Sequence, residues 1–136
     1  GDFNKVNAWV GPAGTVTPCH FDSYDNLLSQ VVGYKYVRMF SQRDSQYLYR
    51  SQAPWAQQRT WPGAGPAPEA AAAQLGAQGN ISLVDVEAPD LQRFPLFANA
   101  TCLETVLGPG DVLYIPMRYW HHVRSLTTSI SINFLF

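Results

Sequence analysis

The chain has 136 residues, 46% of them hydrophobic and 14% charged, with a formal net charge of −1. This is the composition of one globular domain with its own core, not of a disordered segment. With no basic run it is not expected to bind nucleic acid directly or an anionic membrane, no apolar stretch approaches the ~20 residues of a membrane span, and the opening GDFNKVNAWV lacks the layout of a secretory leader.

In chain order, a first strand is read at 6–10, and the turn Gly11-Pro12-Ala13-Gly14 leads to a second at 15–20. The second runs into HFDSYDN, which carries His20, Asp22 and a further acid, Asp25. Side chains alternate along a strand, so His20 and Asp22 share one face while Cys19 and Phe21 share the other. An imidazole and a carboxylate so placed form part of the two-histidine, one-carboxylate set that grips Fe(II) on one side. The same two residues also suit a core histidine bonded to backbone and an ordinary turn aspartate.

Strands follow at 27–32 and 35–40, joined by Gly33-Tyr34. In the latter, Lys35, Val37 and Met39 share a face, an apolar one with an ammonium at its end. A desolvated ammonium without an anion is costly, so either an anionic ligand meets it or the lysine reaches back into water. Residues 51–80, rich in Ala, Gln, Pro and Gly, read as a loop inserted into a single domain spanning 1–136, with at most two helical turns at 69–75. APDLQRFPLF then reads as a brief helix with Pro89 in its first turn and Pro95 stopping it.

Four more strands are read at 102–107, 111–115, 119–126 and 129–136. The first two are joined by Gly108-Pro109-Gly110, which suits a type II turn. Links this short predict that the strands they join are hydrogen-bonded neighbours. His121 and His122 are adjacent on one strand, so one faces inward and the other outward, and the spacing alone does not say which. Eight short antiparallel strands, four before the insertion and four after it, give an all-β jelly roll or barrel with room for a ligand. Cys19 and Cys102 are expected as free thiols in a reducing compartment. The glycosylation patterns at Asn80 and Asn99 carry no meaning in such a setting.

TVTPCHFD with the following Asn26, then QVVGYKYVRMF, VDVEAPDLQRFP, GPGDVLYIPMRYWHHV and SISINF, resemble in order and spacing the JmjC family of Fe(II)- and 2-oxoglutarate-dependent oxygenases. They are most similar to its JmjC-only protein hydroxylases. The resemblance implies a double-stranded β-helix of the cupin-like kind, with Fe(II), 2-oxoglutarate and O2 as cofactors. It implies hydroxylation of an Asn, Arg or similar side chain in a protein or peptide substrate, inside the nucleus or cytoplasm. Lysine demethylation and a non-catalytic cupin-like binding module are the alternatives.

Residue by residue, the resemblance makes His20, Asp22 and His121 the metal ligands and catalytic centre, with His122 facing away. Lys35 and Thr17 would hold the distal carboxylate of 2-oxoglutarate, Asn26 and Asn133 would stand near cosubstrate and iron, and Trp9 would wall the pocket. Leu135 stands where the family commonly has Trp. The family also gives the cosubstrate a tyrosine from a segment that would precede residue 1, so a truncated N-terminus is expected.

Overall fold

The computed structural model describes residues 5–51 and 79–136. All eight expected strands are present within one residue of their expected bounds: β1 (Lys5–Gly11), β2 (Val16–His20), β3 (Asn26–Val32), β4 (Lys35–Phe40), β5 (Cys102–Leu107), β6 (Val112–Ile115), β7 (Trp120–Ser125) and β8 (Ser129–Leu135). They form two four-stranded antiparallel sheets, ordered β1-β8-β3-β6 and β2-β7-β4-β5. This interleaving of early and late strands is a jelly roll.

The expectation that short links join hydrogen-bonded neighbours is corrected. β1 and β2, β3 and β4, β5 and β6, and β7 and β8 lie in opposite sheets. A short link fixes how soon the chain turns, not whether it turns within the plane of a sheet. Here each link carries the chain across the interior, and the hydrogen bonds are made with other strands. The turn chemistry itself holds: Gly33 and Gly110 have φ of 72° and 94°, and the Asp111 N–H donates to the Gly108 carbonyl at 3.0 Å.

Between the sheets lie Leu28, Val37, Met39, Leu107 and Ile115. A second cluster, Cys19, Phe40, Leu48, Val86 and Trp120, occupies the outer face of the β2-β7-β4-β5 sheet. Over it run two 3-10 helices, Gln42–Tyr47 and Pro95–Asn99, the first of which the sequence did not announce. Pro95 opens its helix instead of stopping one, because a fixed φ and a missing N–H suit the first helical position. Residues 52–78, including the helical turns expected at 69–75, lie outside the described residues. Both cysteines are free, Cys19 buried and Cys102 exposed. No helix among the described residues is long and apolar enough to cross a membrane.

Candidate metal centre

Two strands that pair with each other, β2 and β7, carry the two inward histidines. Their register runs Thr17 opposite Val123 and then His20 opposite His121, three residues on β2 against two on β7. The extra residue is a β-bulge, placed where Pro18 has no N–H to give the ladder and β2 is the edge strand of its sheet. Strict alternation would put Thr17 and His20 on opposite faces. The bulge resets the phase, so both line the same cavity and Cys19 points outward into the second cluster.

Asp22 lies just beyond the end of β2 and completes the constellation. Its carboxylate oxygens stand 3.7 Å from His20 Nε2 and 3.6 Å from His121 Nε2. One ligand atom from each of the three residues lies within 4.8 Å of the others. The imidazole rings meet at 4.3 Å between centroids, tilted by 54°.

The tautomers follow from the backbone. His20 Nδ1 is 2.8 Å from the Pro18 carbonyl and His121 Nδ1 is 3.0 Å from the Tyr119 carbonyl. A carbonyl only accepts, so Nδ1 carries the hydrogen and Nε2 presents its lone pair toward Asp22. Burial, reinforced by the neighbouring His121, lowers the His20 pKa to about 4 against the pull of Asp22, so the ring is neutral and ready to ligate. Two imidazoles and a carboxylate on one side of an open cavity fit a divalent transition ion with free positions.

The rest of the cavity fits an anionic ligand. It is lined by Trp9, Thr17, Asn26, Lys35 and Asn133, with Leu28, Ile115 and Val123 as apolar walls. Lys35 is buried and has no hydrogen bond or ion pair among the described residues, and burial lowers its pKa to about 8. The side-chain oxygens of Asn26 and Asn133 are buried without a hydrogen-bond partner among those residues. A half-turn of either amide offers its NH2 group instead. Unmet polar groups of this kind mark a place where a polar ligand belongs. All eight residues singled out from the sequence therefore line this one cavity. Leu135 is buried at the end of β8.

His122 faces the other way. It is buried on the outer face with its Nε2 2.6 Å from Glu87, whose other oxygen takes the Arg124 guanidinium at 2.8 Å. Sequence reasoning missed Glu87, although an outward imidazole and Arg124 on alternate positions of β7 already called for an anion. It also missed Asn80, whose amide donates to the Phe21 carbonyl at 2.8 Å while Ser82 is buried. The first glycosylation pattern is thus built into the structure beside the His20 and Asp22 segment.

Residues 2–136 match the family model described as a cupin-like domain. Among curated proteins the chain is 44% identical over 130 residues to JmjC domain-containing protein F of Dictyostelium discoideum, covering 94% of this chain and 26% of that protein. It is 43% identical over 129 residues to lysine-specific demethylase 8 of Danio rerio, covering 95% of this chain and 26% of that protein. The chain thus spans about a quarter of the length of these relatives. Among solved structures, Escherichia coli ycfD superposes with a TM-score of 0.54 at 18% identity, covering 98% of this chain and 25% of that one. A second structure of that ribosomal oxygenase, with cobalt and succinic acid, gives 0.53 at 14% identity, covering 98% of this chain and 23% of that one. At such identities the likeness is one of fold.

Proposed function

This chain belongs to the cupin-like family of JmjC domains, and from that premise we propose that it is the core of an Fe(II)- and 2-oxoglutarate-dependent oxygenase that hydroxylates an Asn, Arg or similar side chain of a protein or peptide. The observation that carries this reading is one cavity with two needs: a His-Asp-His set within 4.8 Å, and a buried ammonium without an anion. Iron and 2-oxoglutarate together supply O2 chemistry, in which one oxygen atom enters the succinate formed with CO2 and the other enters a substrate C–H bond.

The protein's part is binding and placement. His20, Asp22 and His121 hold the cation on one side, and the Pro18 and Tyr119 carbonyls keep both rings turned toward it. Lys35 and the Thr17 hydroxyl hold the far carboxylate of the cosubstrate. Asn26 and Asn133 hydrogen-bond around it, while Leu28, Ile115 and Val123 keep water from the cavity wall. Trp9 forms a side wall for the cosubstrate or for the arriving side chain. Two free thiols agree with a reducing setting, so we place the protein in the nucleus or cytoplasm.

Lysine demethylation by the same chemistry is the second reading, favoured by the name of the Danio rerio relative. Aerobic incubation with Fe(II), 2-oxoglutarate and a peptide library decides between them. A gain of one oxygen in mass on Asn or Arg peptides is expected, and formaldehyde released from methyl-lysine peptides instead would replace hydroxylation with demethylation. His20→Ala is expected to stop succinate formation; succinate made at the wild-type rate by that variant would end the oxygenase reading. Cosubstrate binding without turnover on any peptide would leave a binding module.

A further inference from the structure

Of the three metal ligands, Asp22 alone is not on a strand: β2 ends at His20, and β7 carries His121. Its placement must come from contacts outside the ladders. The residue before it, Phe21, is paired at two points by Asn80. The Phe21 N–H donates to the Asn80 carbonyl at 3.0 Å, and the Asn80 side-chain amide donates to the Phe21 carbonyl at 2.8 Å. One asparagine therefore continues the strand pairing past the end of β2, its side chain standing in for the next backbone N–H.

On the other side, the Asp22 carbonyl accepts the Arg118 N–H at 2.9 Å. Arg118 sits in the left-handed region at φ 63°, a conformation a non-glycine residue holds only when its surroundings fix it. The turn is closed by the Tyr119 N–H on the Pro116 carbonyl at 3.0 Å and is held from outside by Asp25. Its carboxylate accepts the Met117 N–H at 3.0 Å and the Tyr114 hydroxyl at 2.6 Å, while its backbone exchanges two hydrogen bonds of 3.1 Å with Phe136. Asp25 thus ties the loop after Asp22 to the turn that leads into His121.

We propose that Asn80 and Asp25 are positioning residues that clamp the Asp22 backbone from its two sides and thereby aim its carboxylate at the metal. The inference rests on the reading of His20, Asp22 and His121 as a metal site. Neither residue touches the cation; each acts through the backbone of the HFD segment, as the groups that orient ligands do in other metal sites.

The test is Co2+ titration of the full chain, read by affinity and by the visible absorption of the bound ion, which reports its coordination geometry. Asn80→Asp removes the amide donor at constant size, and Asp25→Ala removes both accepted hydrogen bonds. Each is expected to weaken Co2+ binding about tenfold and to alter the absorption, while Asp25→Asn, which keeps an acceptor oxygen, stays within about threefold of wild type. Asn80→Ala repeats the donor loss without a new charge where Asn80→Asp does not fold. Val84→Ala, at a fully buried position apart from the cavity, is expected to lower Tm and leave Co2+ affinity unchanged. Wild-type affinity and absorption in the Asn80 variants and Asp25→Ala would overturn the proposal. So would a loss in Asp25→Asn equal to that in Asp25→Ala, or a loss of affinity in Val84→Ala. If Asp22→Ala binds Co2+ as tightly as wild type, the metal reading itself has failed, and the two failures are thereby told apart.

Discussion

Lys35 is the residue whose proton reports most directly on what fills the cavity. Its pKa of about 8 in the folded chain lies below the usual 10.5, so between these values the unfolded chain holds more protons. The stability of the ligand-free protein therefore rises with pH across that window. A bound dicarboxylate reverses the preference, since it needs the ammonium. The affinity of the Mn2+-loaded chain for 2-oxoglutarate is expected to fall by nearly tenfold per unit above about pH 8. Lys35→Met is expected to abolish that slope and the binding while raising the Tm of the empty protein; calorimetric titration across this range, with melting curves, checks both. The adjacent histidines make a second pair of predictions. His121→Ala is expected to lose metal binding, whereas His122→Ala keeps it and instead loses about 1–3 kcal/mol of stability with a buried ring and its charge-assisted bond to Glu87, which Arg124 still holds, as metal titration and urea unfolding would read. Sequence spacing could not rank these two histidines, because their difference lies in partners: Tyr119 and Asp22 for one, the distant Glu87 for the other.

At the scale of elements, the strands were legible because period-two patterning and turn residues are local signals, and β4 and β5 match their expected bounds at both ends. Partnership was not legible. Gly33 announces a turn equally well for an in-plane hairpin and for a crossing between sheets, and only packing of the two inner faces decides for the crossing. The bulge in β2 was hidden for a related reason. Pro18 signals an interruption, but the reset that brings Thr17 and His20 to one face depends on the β7 register. The corner at Gly33 gives the test at this scale. A Cβ there would sit 2.1 Å from the Thr128 carbonyl oxygen and 2.5 Å from the Thr127 hydroxyl, with φ at 72°. Gly33→Ala is expected to cost about 2 kcal/mol or more, read as a lower urea midpoint with the slope unchanged.

Over the whole molecule, the jelly roll brings His20 and Asp22 together with His121 at one point, so a cation bound there would fasten two regions distant in sequence. A ligand held only by the folded form stabilises it by about 2.7 kcal/mol at a hundredfold excess over Kd. Chelation by EDTA is accordingly expected to lower the Tm of the metal-loaded protein, and Asp22→Ala to show no such difference in a scanning calorimeter. The fold class was readable from eight alternating segments; the sheet order was not, since it is set by long-range pairing that no single segment encodes. That order places β8 between β1 and β3. β8 is also the last of these eight strands in chain order. Until β8 is made, β1 lacks its partner and β3 has only β6, so the first sheet closes only with residues 129–135. A nascent chain stalled short of residue 129 therefore leaves edges of β1 and β3 open to pairing with other chains.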